Sequence, residues 1–156
     1  MHKSAVGKNG KTVAARIMPD SNLVEEIIAI CKENKLEAAY IPTCIGSLKK
    51  ARFVYAIPDD STYFKMVYSD PLELDGPIEF LNAQGIVAKG ENGEYLVHLH
   101  AVMSDKDMKV YGGHVVDDGN IVLATIDLVL NEIKDINLAR KYDKNSGFYF
   151  FTPEEA

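Results

Sequence analysis

The amino-acid sequence predicts a single α+β domain, a mostly antiparallel sheet with one main amphipathic helix near the N-terminus. Three observations carry that prediction. The chain has 156 residues, 47% hydrophobic and 26% charged, which is the size and make-up of one globular domain. Clear helical periodicity occurs once, early, while the later apolar segments are short, β-branched or aromatic, and bounded by Gly, Pro, Asn or Asp. No repeat, low-complexity linker or second core divides the chain.

Residues 1–11 are polar through Gly7-Lys8-Asn9-Gly10-Lys11 and read as a flexible N-terminal segment. Residues 12–18 form a short apolar strand that Pro19 ends. Asn22 and Glu25 mark a helix start, because each side chain can satisfy the other's orphan backbone N–H. Apolar residues at 23, 24, 27, 28, 30 and 31, with Glu25, Glu26, Lys32 and Glu33 opposite, extend that helix to a stop at Asn34. Residues 38–43 read as a strand ending near Gly46-Ser47. Residues 50–57 read as another, with Ala51, Phe53, Tyr55 and Ile57 on one face and Arg52 on the other. A turn at 58–61 leads to an aromatic strand over 63–68. After the Asp75-Gly76-Pro77 break, residues 78–88 and 95–104 make a hairpin around the turn at 89–93. Residues 110–116 form a further strand, and 117–120 a turn. Residues 121–133 fit strand or helix by composition, with Ile121-Val122 and Thr125-Ile126 favouring a strand at the start. The domain proper is thus expected over 12–133. The tail, 134–156, holds Phe148-Tyr149-Phe150-Phe151, which is predicted to pack on the body or on a neighbouring subunit.

Charge and cysteine content narrow the function classes. With 17 Lys+Arg against 23 Asp+Glu the formal charge is −6. The basic clusters, Lys8/Lys11, Lys49-Lys50-Ala51-Arg52 and Arg140-Lys141, are short. That balance argues against a free-standing nucleic-acid binder. Cys31 and Cys44 are too few for a disulfide framework, and no apolar run is long enough to span a bilayer, so a reduced, cytoplasmic protein is expected. Cys44 has no evident activating neighbour and reads as a core residue.

The histidines carry the chemistry. His98 and His100, two apart on a strand, project to the same face. His114 follows on the next strand and can join them if the two strands pair. Three imidazoles on one face suit Zn²⁺ or another divalent transition metal, with a fourth position left for water or another ligand. The same pattern can also be a hydrogen-bonded polar cluster lining a groove or interface, or the start of a cupin-like site completed by Asp105 or Asp107. Gly112 and Gly113 carry no side chain, so backbone or ligand can approach there. Arg16 is assigned with them to the candidate ligand groove. Glu79, in apolar Ile78-Glu79-Phe80-Leu81, is the candidate catalytic carboxylate; the alternative is a buried structural pair with Arg16.

Together, the early strand and capped helix, Ile45-Gly46-Ser47-Leu48, Gly76-Pro77-Ile78-Glu79-Phe80-Leu81, His98-Leu99-His100 and Gly112-Gly113-His114 resemble the plants-and-prokaryotes-conserved domain (PPC or PCC). Plants fuse this domain to AT-hook segments. The resemblance implies a compact α+β domain that assembles as a homotrimer, with a metal held in some prokaryotic relatives at the histidines matching His98, His100 and His114. It also implies a partner-interaction segment at Gly76, Glu79, Phe80 and Leu81. In plant relatives that segment contacts transcription factors and has Arg where this chain has Pro77. Asp127 stands where the family usually has Glu. No Arg-Gly-Arg-Pro core of an AT-hook is present, so DNA and transcription-associated partners follow by family analogy alone. Three functions are therefore expected: a homotrimeric binding or regulatory module with a three-histidine metal site; a small metal-dependent enzyme using zinc-activated water, with Glu79 or an aspartate as base; or a DNA-associated regulator using the Lys49-Lys50-Arg52 edge.

Overall fold

A computed structural model describes residues 2–156. Ten strands and one helix follow in the order β1 (Lys8–Ile17), α1 (Leu23–Glu33), β2 (Ala38–Val54), β3 (Ala56–Pro58), β4 (Met66–Tyr68), β5 (Leu72–Gly90), β6 (Tyr95–Ser104), β7 (Val110–Val115), β8 (Ile121–Lys134), β9 (Ile136–Asp143) and β10 (Phe148–Glu155). Eight strands form one sheet in the order β1-β8-β2-β7-β6-β5-β9-β10, and β3 pairs with β4 apart from it. Because β2 also pairs with β5, strands β2, β5, β6 and β7 form a closed ring of hydrogen-bonded neighbours. The sheet is mixed: β5 and β9 run parallel through Lys89–Ala139 and Gly90–Arg140, and the other pairs are antiparallel.

Alternation decides which side of the sheet is core. Along β6, Val97, Leu99, Ala101 and Met103 are buried, while His98, His100 and Val102 point the other way. Phe53 and Phe80 join Leu48, Ile78 and Leu99 in the same interior. Residues of α1 cap it: Leu23 and Ile27 are fully buried, and each contributes about 1.5–3 kcal/mol by leaving water. Ile28 and Ile30 are only partly buried, so the apolar and polar faces of the helix divide less sharply than predicted.

Asn22 caps the helix, its side chain accepting from the backbone N–H groups of Val24 (3.1 Å) and Glu25 (3.4 Å). Asn22→Ala is expected to cost about 1 kcal/mol, read as a lower urea midpoint with an unchanged slope. An unshifted midpoint would mean that tertiary packing alone sets the helix start. Buried Asn120 ties three elements together. Its side-chain oxygen accepts from Arg52 N–H (2.8 Å), its amide donates to Val116 C=O (2.8 Å), and its own carbonyl accepts from Leu23 N–H (2.9 Å).

Several elements differ from the sequence reading. β1 begins at Lys8, inside the segment expected to be flexible. Gly46-Ser47 does not end a strand; Gly46, with φ +151°, lies against the Thr125 carbonyl where a side chain would not fit, and β2 runs on to Val54. Tyr55 lies beyond that end and is exposed. The aromatic strand shrinks to Met66–Tyr68. Residues 121–133 resolve as strand throughout, since β8 lies between β1 and β2 and both ladders need its backbone. The tail forms the β9–β10 hairpin.

Candidate metal centre

Pairing of β6 with β7 sets His100 directly opposite His114, and His98 follows two residues along β6. The ring nitrogens available from the three side chains lie within 4.8 Å of one another. Ring centroids are 4.9 Å apart for His98–His100, 5.1 Å for His98–His114 and 5.3 Å for His100–His114. The Nε2 atoms of His98 and His100 approach to 3.0 Å, which without an ion is a hydrogen bond between one protonated and one unprotonated ring nitrogen. Two ligands on a tetrahedral zinc at about 2.0–2.1 Å sit roughly 3.3 Å from each other, so this pair already has the separation of a chelate. Nδ1 of His114 is buried and has no hydrogen-bond partner. A donor set of three nitrogens with one orphaned lone pair or proton fits a borderline divalent metal better than a closed hydrogen-bond network.

The C-terminal hairpin and the end of β4 cover two of these rings, and His100 stays exposed. Phe151 of β10 stacks on His98 (6.2 Å, 18°) and Tyr68 packs on His114 (5.5 Å). Opposite Phe151 in the hairpin ladder is Arg140, whose guanidinium carbon lies 5.6 Å from the Phe151 ring centre. Burial first, then the neighbouring imidazoles and Arg140, push the pKa of His114 down from 6.5 to about 4. Burial, His100 and Arg140, in that order, also lower that of His98. Both rings are thereby held in the neutral form that ligates metal.

The sign of these shifts gives a pH prediction. As pH falls below 6.5 the unfolded chain takes up protons at positions 98 and 114 before the folded one does, so stability present above pH 6.5 is lost progressively toward pH 4. Metal-free protein should melt at steadily lower temperature from pH 6.5 to 5, with a weaker slope for His114→Gln. Parallel slopes for the two proteins would show that His114 titrates freely.

Other candidates fall elsewhere. Glu79 is exposed rather than buried, and its partner on β6 is Ser104, four residues from His100 and so about 13 Å along the strand. It therefore cannot serve as base at the histidines. Glu79 does not pair with Arg16 either: Arg16 is exposed on β1, and its Nε donates to Thr125 Oγ1 (3.1 Å). Gly113 admits backbone, not ligand, since a Cβ there would sit 2.5 Å from the Val54 carbonyl oxygen. Gly112 lies beside His100 in a shallow groove. Within the partner-interaction segment only Glu79 and Leu81 face outward in full; Phe80 is core, and Gly76 lies against the Leu48 and Lys49 carbonyls. Cys31 and Cys44 are buried, their thiols pushed up to about 11 and about 12 by burial, so neither is a nucleophile.

Sequence reasoning missed Arg140, Phe151 and Tyr68 as site residues. Arg140-Lys141 stood out only as a basic pair and Phe151 only as part of an apolar run. Nothing in the spacing revealed that β9 returns parallel to β5 and brings both beside the histidines.

With fold and site described, the class of protein follows. The sequence model of the Plants and Prokaryotes Conserved (PCC) domain matches residues 4–134, most of the chain, and the protein belongs to that family. A metal-containing protein from Archaeoglobus fulgidus is 25% identical and superposes with a TM-score of 0.78 over 96% of this chain and 99% of that one. A plant- and prokaryote-conserved protein from Pyrococcus horikoshii is 24% identical and shares the fold, with a TM-score of 0.79 over 99% and 100% of the two chains. A candidate DNA-binding protein from Ralstonia eutropha, 18% identical, also shares it, with a TM-score of 0.71 over 88% of each chain. Among curated relatives, the bifunctional protein GlmU of a Synechococcus strain is 24% identical over 133 residues, 85% of this chain; the chain spans 19% of that protein's length. No helix among the described residues is long and apolar enough to cross a membrane.

Proposed function

We propose that this chain is a homotrimeric metal-binding module of the cytoplasm, with zinc or a similar divalent ion held by His98, His100 and His114. The observation that carries the reading is the convergence of three ring nitrogens within 4.8 Å. The 25% identical relative described as metal-containing supports it. When bound, the ion supplies a fixed positive charge and an open coordination position. The chain's own residues hold neutral imidazoles in place and, through Phe151 and Tyr68, keep bulk water from one side of them. Assembly is supported by the histidine-bearing face itself. Val102 and Val110 lie on that face next to Gly112 and are 44% and 66% exposed, a surface that association would remove from water.

The other two expectations have less support. An enzyme reading needs a base near the histidines, and Glu79 is too distant. The DNA reading relied on Lys49, Lys50 and Arg52, but Lys49 pairs with Asp20, Lys50 with Glu73 (2.7 Å), and Arg52 with Glu73 and Asp118 (3.4 and 2.6 Å). That edge carries its own counter-charges.

Elemental analysis of protein prepared without a histidine tag should find a divalent transition metal approaching one per chain, and sedimentation should give a mass near three chains. Protein without metal after equilibration with zinc overturns the site. A monomer at all concentrations overturns the assembly.

A further inference from the structure

Beside His114 an open groove of about 390 Å³ is lined by His114 and Arg140 and walled by Tyr68, Pro71 and Val116. Arg140 is the unusual member. The chain has three arginines: Arg16 bonds Thr125, and Arg52 pairs with Glu73 and Asp118. The side chain of partly buried Arg140 has no hydrogen bond or ion pair among the described residues; its Nε, like that of Arg52, is buried without a hydrogen-bond partner, but Arg52 has carboxylates beside it and Arg140 has none. Leaving such a donor unmet is costly, so buried guanidiniums ordinarily face a carboxylate or phosphate. The ring of Phe151 holds the guanidinium from one side, which leaves its fork of N–H donors for a ligand.

Charge defines the ligand further. A guanidinium next to imidazoles that hold a cation is a concentration of positive charge, relieved when an anion lies between them. Asp117 also lines the groove and offsets one unit of that charge, which leaves it net positive toward an anion of either charge. The apolar walls suit a carbon body rather than a free inorganic ion. We propose that this groove binds a small organic anion with an apolar body, its carboxylate or phosphate oxygens seated on Arg140 and directed at the metal position. The metal part rests on the reading above; the Arg140 part does not.

The test uses zinc-equilibrated protein titrated with benzoate, benzamide and phenyl phosphate, followed by amide shifts in the NMR spectrum. Benzoate or phenyl phosphate should shift Tyr68, Val116 and Arg140 saturably, with benzamide inert, and the tighter of the two anions identifies the head group. Arg140→Gln should weaken that anion about tenfold or more, and Arg140→Lys, which keeps charge but loses the fork, should fall between. A melting curve for each variant controls for folding. Equal binding by wild type and Arg140→Gln, binding of benzamide as tight as the anions, or no shift with either anion each overturns the anion site. The two readings fail separately. If zinc does not bind but the anion still needs Arg140, the anion site stands without the metal. If zinc binds and Arg140→Gln changes nothing, the metal site stands without the anion.

Discussion

His98→Ala combined with His100→Ala should reduce bound metal to background while leaving the fold intact. Structural zinc sites with four ligands are worth about 10–16 kcal/mol, so roughly 3 kcal/mol per ligand, and removing two costs ~10⁴-fold in affinity. His114 alone cannot chelate. The substitutions are mild for the scaffold, because His98 is half-buried and His100 exposed, and both lie on the outer face away from Leu99 and Met103. Zinc at about 100 times its dissociation constant adds about 2.7 kcal/mol to stability. For a chain of this length that is a rise in melting temperature of about 5–10 °C. The wild type should show this rise and the double variant should not, with matching far-ultraviolet circular dichroism. Equal metal content in the two proteins would falsify the site.

Gly113→Ala should damage both stability and metal binding although it adds one methyl group. Its Cβ would lie 2.5 Å from the Val54 carbonyl oxygen and 2.9 Å from Phe53 Cδ2. The first is backbone and cannot rotate away, and Phe53 is fixed in the core at 2% exposure. β7 pairs with β2 in a short ladder, Phe53–Val115 and Val54–His114, so the strand that must shift is the one carrying His114. A cost of about 1–3 kcal/mol from overpacking is expected, with weaker metal binding as His114 moves out of register. Gly112→Ala is the comparison: its nearest neighbour would be the Ala101 carbonyl oxygen at 3.1 Å, which a small adjustment relieves. Similar melting temperatures and metal affinities for the two variants would show that the β2–β7 contact does not position His114.

What the sequence revealed and what it hid follow one rule. Features decided within a few residues were legible: the Asn22 cap, the turn at Gly119-Asn120, the hairpin of β5 and β6, and the shared face of His98 and His100. That His114 can join them was legible as a condition, that the two strands pair, because Gly112-Gly113-His114 follows the preceding strand after a short turn; the register that sets it opposite His100 came from the structure. Features set by pairing across the chain were not. β2 reads as two strands because Gly46 looks like a break, and only the Thr125 carbonyl facing it shows why glycine stands in mid-strand. Glu79 looked buried because its neighbours are apolar, yet alternation places Ile78 and Phe80 inside and Glu79 outside. Arg140 and Phe151 could be assigned to the histidines only from the return of β9 along β5.

That return strand has a consequence for how such proteins diversify. Arg140 and Phe151 come from a ribbon lying past the last family-matched position, whereas the imidazoles come from the barrel within it. The three rings and the residues that cover them thus come from separate stretches of chain. Exchanging residues 135–156 between relatives should change what reaches the histidines without altering the spacing of their rings.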